Sequence, residues 1–335
     1  MTGADAGSDA GARRALIDLL RGEHRFVVVT HEQPDGDALG SLVAMVRILI
    51  AMGKDAVPVL GQADLPLPRE YRQLESIPLP TEVPVDLAER TAIFVDCGNA
   101  ERSAAVAVRA GARRIVNIDH HHDNTRFGDL DLVDDDAACT TEILWGLLPD
   151  LGVALDPSIA LALYVGLVTD SGRFMYGNTS GRSHQMAAEL IAAGVEPFPV
   201  YRSLYERFPW AKVALLGRAL ERVRRLDGGR LTFSHLRRRD FDETGAVDSD
   251  AEGIIDQLRG VEETRVAALA REVLDGPDGR VRTKVSLRSA DGVVDVSVIA
   301  RAGGGGGHPQ AAGFTTDLDE ESLVGFLNDQ VGDAA

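Results

Sequence analysis

Cysteine is nearly absent from this sequence: Cys97 and Cys139 are the only two, both in apolar surroundings. Two isolated thiols supply neither a disulfide framework nor a CxxC zinc pattern, and a reducing, cytoplasmic setting fits them best. Lysine is scarce as well, standing only at Lys54, Lys212 and Lys284, and the formal net charge is -17. A field of that sign repels long polyanions, so a chromosome-coating role is excluded, long duplexes are not expected partners, and any nucleic-acid ligand should be short or held by a local cationic patch. Long apolar runs are missing too. Leu39 to Met52 and Ile159 to Val168 fall short of the ~20 residues a spanning helix needs, and no membrane partner is expected. There is no internal repeat, and Gly303 to Gly307 is the one low-complexity block. Residues 1–14 read as a disordered tail; Met1 to Gly11 lack the apolar segment of a signal peptide.

What is present suggests two domains in the 335 residues. Arg25 to Thr30, Thr91 to Val95 and Arg114 to Ile118 are short β-branched runs, with segments of helical length, Ala38 to Met52 and Ala100 to Ala110, between them. That alternation predicts an α/β domain over residues 15–195, a mainly parallel sheet flanked by helices, whose strand ends share one edge. Leu130 to Val133 adds a strand and Thr140 to Leu148 a helix, and Pro157 opens a further helix at the N1 position that proline favours. A helical connector, interrupted near Pro209, is expected over 196–228. A smaller α+β domain over 229–331 follows, with strands at Arg230 to Leu236, Arg265 to Leu274 and Val281 to Arg288, and a short helix at Ile254 to Arg259.

The strand ends carry the chemistry. After the first comes His31-Glu32-Gln33-Pro34-Asp35-Gly36-Asp37, where Pro34 and Gly36 set a tight turn that lets His31, Asp35 and Asp37 converge. Asp37 also precedes a helix and is equally legible as its N-cap. The second strand ends in Asp96-Cys97-Gly98 and the third in Asp119-His120-His121, and the helix after Pro157 delivers Thr169-Asp170-Ser171-Gly172-Arg173-Phe174. His31, Asp35, Asp37, Asp96, His120 and Asp170 thus form a candidate ligand set, oxygen-rich with two imidazoles and no thiolate. Such a set suits Mn²⁺, Mg²⁺ or Fe²⁺ better than structural zinc. Six ligands exceed one site, and a pair of cations sharing a carboxylate is an arrangement that activates water and neutralises a phosphoryl group.

These four ordered segments resemble the motifs of the DHH phosphoesterase superfamily. The resemblance implies a first metal held by His31, Asp35 and Asp96, and a second held by Asp37, Asp96, His120 and Asp170, with Asp96 bridging and Mn²⁺ the foremost candidate. It further implies that His121 faces the substrate phosphate as an acid or hydrogen-bond donor and that Asp119 orients its neighbours.

Towards the end of the chain, Gly303-Gly304-Gly305-Gly306-Gly307-His308-Pro309-Gln310-Ala311-Ala312-Gly313-Phe314 resembles the GGGH-x-x-AAG motif of the DHH-associated C-terminal domain, with an extra glycine and with Pro309 after the histidine. A bare glycine run is ordinarily a flexible linker. Here freed backbone N–H groups can also approach an anion closely, and the resemblance makes Gly305, Gly306, Gly307, His308 and Arg288 substrate contacts. The closest branch is that of nanoRNases, pAp phosphatases and cyclic-di-AMP phosphodiesterases. It implies hydrolysis of short oligoribonucleotides of two to five nucleotides and of linear or cyclic dinucleotides, and dephosphorylation of pAp to AMP. Homodimers are common for such folds. Three alternatives compete: a family II inorganic pyrophosphatase, for which the C-terminal Ser, Arg and Lys cluster is missing; a RecJ-like exonuclease, for which no long cationic track is evident; and a nucleotide-sensing module without a working metal site, against which every ligand position is filled.

Overall fold

The computed structural model describes residues 5–100, 106–275 and 280–333. They form two compact units, Met1–Glu206 and Arg207–Ala335.

In chain order the first unit contains α1 (Asp5–Gly22), β1 (Arg25–Val29), α2 (Gly36–Ala51), β2 (Asp55–Val59), β3 (Thr91–Val95), α3 (Val106–Gly111), β4 (Arg114–Asp119), β5 (Leu130–Val133), α4 (Thr140–Leu151), α5 (Pro157–Asp170), α6 (Gly181–Ala192) and α7 (Pro197–Tyr205). Its five strands lie in the order β2-β1-β3-β4-β5 and all pair in parallel. Strands buried on both faces need near-continuous apolar sequence, and β1 and β3 supply it: Phe26 to Val29 and Ala92 to Val95 are fully buried. Helices α2, α4 and α5 cover one face through Leu39, Leu42, Leu144 and Leu163. Val108 of α3 packs with Val27, Val29 and Phe94 on the other.

The expected tail over residues 1–14 gives way to α1 from Asp5 onward, with residues 1–4 outside the described set. Two features hold the helix: Leu16 and Leu20 are fully buried, and the Arg13 guanidinium donates to Asp150 Oδ2 at 2.7 and 3.1 Å. Strand β2 is not among the expected elements. Its Pro58 weakens the strand signal, and the fold accommodates that residue at the sheet's edge, where a missing N–H costs no ladder bond. The helix expected from Ala100 appears from Val106 as α3, and residues 101–105 lie outside the described set.

The second unit contains α8 (Trp210–Glu221), β6 (Arg224–Leu226), β7 (Leu231–Leu236), α9 (Arg238–Thr244), α10 (Ile254–Arg259), β8 (Val266–Asp275), β9 (Arg280–Ser289), α11 (Val296–Ala302), β10 (Gly306–Gly307), β11 (Ala311–Thr316) and α12 (Glu320–Asp333). Its sheet runs β10-β11-β9-β8-β7-β6 and is antiparallel except for the β7 and β8 pair. One face packs Val296, Ile299, Leu323 and Leu327, and the other packs Leu215, Phe241, Ile255 and Leu258. Residues 276–279, between β8 and β9, lie outside the described set. Among the described residues no helix is long and apolar enough to cross a membrane.

Candidate metal centre

From β1 the chain steps to β2 on one side and to β3 on the other, so the carboxyl ends of β1 and β3 flank a topological switch point, where open α/β sheets place their ligands. His31 follows β1, Asp96 follows β3, and Asp119 ends β4 with His120 and His121 behind it. Asp35 and Asp37 stand at the start of α2, and Asp170 is the last residue of α5. These residues fall into three groups, the ligand atoms within each lying within 4.8 Å of one another: His31, Asp35 and Asp96; Asp37, His120 and Asp170; and Asp96, His120 and His121.

Asp96 joins these groups. One oxygen, Oδ2, is 3.7 Å from His31 Nε2, and the other, Oδ1, is 3.7 Å from both His120 Nε2 and His121 Nδ1. Its backbone is left-handed (φ 54) at the strand's end, a conformation that aspartate tolerates better than most residues. His31 Nδ1 donates to the Glu32 carbonyl at 2.8 Å, which in the neutral ring leaves Nε2 as the nitrogen free to bind a cation. His120 Nε2 is 3.3 Å from Asp170 Oδ2.

The cap of α2 is Asp35, whose Oδ1 accepts from Asp37 N–H and Ala38 N–H at 3.0 and 3.1 Å. The capping reading considered for Asp37 is therefore corrected. That residue lies inside the first turn and is buried, and its carboxylate accepts from Thr140 N–H (2.7 Å), Thr141 N–H (3.1 Å) and the Thr141 hydroxyl (2.9 Å) at the start of α4. A helix N-terminus with unpaired N–H groups is a natural seat for a carboxylate. The sheet-facing helices come close enough for this only because α2 and α5 meet at glycines. A Cβ on Gly40 would lie 2.5 Å from the Ala162 carbonyl oxygen, and one on Gly166 2.5 Å from Asp37 Oδ1.

So many carboxylates in one buried place repel one another. Burial, then the charge of Asp96, pushes Asp37 up to about 7; burial and Asp37 push Asp170 well above the usual carboxylate range. Burial opposes the charge on His31 and His120, yet Asp96 for the first and Asp170 for the second outweigh it and raise both to about 9. Burial would raise Asp96 too, but contact with His31 and the charges of His120 and His121 hold it below the ordinary range. Among the described residues the ion-pair partners of Asp96 and Asp170 are histidines, with no fixed cation. The clustered oxygens and two imidazoles fit hard to borderline divalent cations, which would supply the missing positive charge.

His121 and Asp119 form a separate arrangement. Asp119 is fully buried; its Oδ1 accepts from His121 Nδ1 at 2.8 Å and its Oδ2 from Asn124 Nδ2 at 2.5 Å, and Asn124 also donates to Asn117 Oδ1 at 2.7 Å. Burial opposes protonation of His121, but the hydrogen bond to Asp119 and the charge of Asp96 raise its pKa above the ordinary histidine value. Thr140, Thr141, Asn117 and Asn124 are absent from the sequence reading. Asn117 left a signal, a polar residue inside the apolar run Ile115-Val116-Asn117-Ile118; the threonines read only as the start of a helix. Past Asp170, Gly172, Arg173 and Phe174 are consecutively left-handed (φ 55, 63 and 66), held by Phe174 stacking on His184 and Arg173 lying over the Tyr205 ring.

In the second unit the glycine run is not an open loop. Gly306 and Gly307 form β10 against β11, and a tight turn closes with His308 N–H donating to the Ala311 carbonyl at 2.8 Å. Alternate glycines are required by contact: a Cβ on Gly303 would strike the Phe314 ring, on Gly305 the Gly313 carbonyl, and on Gly307 the Ala311 carbonyl and Ala312. Around Gly304 and Gly306 there is open space. Arg288 pairs with Ala311 across β9 and β11, beside this hairpin, and its guanidinium donates to its own Leu287 carbonyl at 3.0 Å.

Residues 25–167 match the DHH family, N-terminal domain, and residues 233–333 match the DHHA1 domain. The bifunctional oligoribonuclease and PAP phosphatase NrnA of Thermus thermophilus is 35% identical over 313 residues, 92% of this chain and 90% of the relative. The protein of the same description from Bacillus subtilis is 28% identical over 302 residues, 89% and 91% of the two chains. In fold, the crystal structure of an exopolyphosphatase-related protein from Bacteroides fragilis superposes with a TM-score of 0.82 over 97% of this chain and 96% of that one, at 19% identity. With both domains in order and a relative of that identity along nearly the whole length, this chain belongs to the DHH family of phosphoesterases.

Proposed function

We propose that this chain hydrolyses short oligoribonucleotides and linear or cyclic dinucleotides to mononucleotides and removes a phosphate from pAp, with two divalent cations, foremost Mn²⁺, at the cluster around Asp96. His31, Asp35 and Asp96 would hold one ion, and Asp37, Asp96, His120 and Asp170 the other. The observation that carries this reading is the division of Asp96, one oxygen toward His31 and the other toward His120, each at 3.7 Å. When bound, the ions supply a water activated for attack and positive charge against the phosphoryl oxygens. The protein's own part is to hold the ligands in place through the start of α4 and the Asp35 cap, and to present His121 as an acid or hydrogen-bond donor whose ring Asp119 orients. Arg288, Gly305, Gly306, Gly307 and His308 would bind the nucleotide remote from the reacting phosphorus, supplying positioning; Arg288 and His308 both adjoin Ala311, which supports a shared role. The cytoplasm, where such substrates arise, would be its compartment.

A substrate panel at fixed Mn²⁺ tests this: pAp, pApA, cyclic-di-AMP, a five-mer RNA, a 24-mer and pyrophosphate. Release of mononucleotides from the dinucleotides and the five-mer, and of phosphate from pAp, is expected. Turnover of pyrophosphate alone, or preference for the 24-mer, would replace this reading with the pyrophosphatase or the RecJ-like one.

A further inference from the structure

Asp96 can serve two clusters only if its carboxylate is turned so that each oxygen faces one of them. The histidines face it at 3.7 Å, an ion-pair distance longer than a direct hydrogen bond. The Thr140 hydroxyl comes closer and donates to Oδ1 at 3.0 Å. Thr140 is the first residue of α4 and has no exposed surface. Its backbone N–H donates at the same time to Asp37 Oδ2 at 2.7 Å, so one residue grips two carboxylates through two different atoms. Helix α4 is in turn seated in the core by Ile143, Leu144 and Leu147. The rotation of Asp96 is thereby referred to a rigid helix.

We propose that Thr140 is the positioning residue that divides Asp96 between the two ion sites. The inference rests on the two-cation reading above and deepens it. The Thr140 hydroxyl satisfies one lone pair of Oδ1 and leaves the other toward His120, while Oδ2 stays free toward His31. Without that hydroxyl the carboxylate can rotate to place both oxygens on one cluster, and the second ion loses a ligand. Thr141 differs: its N–H and hydroxyl bond Asp37, and the hydroxyl also meets Cys139 Sγ at 3.1 Å.

The test is Mn²⁺ binding to the full chain, followed by calorimetry and by electron paramagnetic resonance, which separates an isolated Mn²⁺ from an exchange-coupled pair. Thr140→Val removes the hydroxyl but keeps side-chain volume and the N–H to Asp37. We expect it to bind its second Mn²⁺ about tenfold more weakly, the usual scale for a partner of a metal ligand, and to show the isolated-ion spectrum where wild type shows a coupled pair. Thr140→Ser should restore the coupled spectrum. If the valine variant fails to fold, Thr140→Ala carries the same comparison. Wild-type affinity for both ions and an unchanged coupled spectrum in the folded Thr140→Val or Thr140→Ala variant would overturn the assignment. Wild type that binds only one Mn²⁺ would overturn the two-cation reading itself, and this inference with it.

Discussion

Asp119 and His121, two residues apart at the end of β4, face each other with Nδ1 and Oδ1 2.8 Å apart, and Asn124 occupies the other Asp119 oxygen. The ring is therefore held through Nδ1 by a group that is itself held. His121→Ala should keep its bound metal and lower kcat by about 10²-fold, the scale of general acid and electrostatic contributions. Elemental analysis beside steady-state kinetics checks it; loss of metal would make His121 a ligand instead.

Close helix contact is what lets α4 reach Asp37. Gly40→Ala places a methyl group 2.5 Å from the Ala162 carbonyl oxygen, against backbone that has nowhere to move. Destabilisation of about 1–3 kcal/mol is expected, as for other overpacked sites. Urea unfolding of the metal-free protein measures it, and an unchanged midpoint would contradict the packing described.

Protonation of the cluster in metal-free protein gives a signed pH dependence. His31 and His120, raised from 6.5 to about 9, stabilise the metal-free fold fully below pH 6.5 and lose that contribution as pH rises to about 9. Asp37, raised from 3.8 to about 7, favours the fold while it is protonated, and that contribution is lost as pH rises from 3.8 to about 7. Melting of the metal-free protein should thus weaken from pH 6 to pH 9. Because cations must displace the same protons, the Tm increment from added Mn²⁺ should grow over that range. An increment that shrinks with rising pH would be incompatible with these histidines as ligands.

Substrate length is the next consequence. With a net charge of -17, nucleotides beyond the few that are bound meet repulsion and add little. We expect kcat/KM for a 24-mer about tenfold or more below that for a two- to five-mer, a difference of about 1.4 kcal/mol. Arg288→Ala and His308→Ala should chiefly raise KM for short substrates, since they remove binding made equally in ground and transition states. Single-turnover kinetics with end-labelled RNA would expose undiminished processing of the 24-mer or normal KM in both variants, either of which sinks this expectation.

The parallel sheet was legible because β1, β3 and β4 are apolar runs that end in ionisable residues, and because parallel strands are buried on both faces. Strand β2 was hidden by Pro58, an edge residue whose tolerance depends on which strand lies outside it, a fact of topology and not of local sequence. At the site, His31, Asp35, Asp37, Asp96, His120 and Asp170 were visible as chemistry at element ends. The partners that hold them were not. Thr140 lies 103 positions from Asp37 and 44 from Asp96, and such separations leave no periodicity to read. The glycine run shows the converse: its composition alone reads as a flexible linker, whereas Gly303, Gly305 and Gly307 stand where Phe314, Gly313 and Ala312 press against them.

The account depends most on one carboxylate serving two ions. Asp96→Ala removes the oxygen toward His31 and the oxygen toward His120 together, whereas Asp37→Ala removes a ligand of one cluster only. Elemental analysis of the purified variants after Mn²⁺ loading and desalting is the direct measurement. The account predicts markedly less metal in Asp96→Ala than in Asp37→Ala, with no detectable hydrolysis of pApA by the former. Two tightly held Mn²⁺ per chain in Asp96→Ala would contradict it.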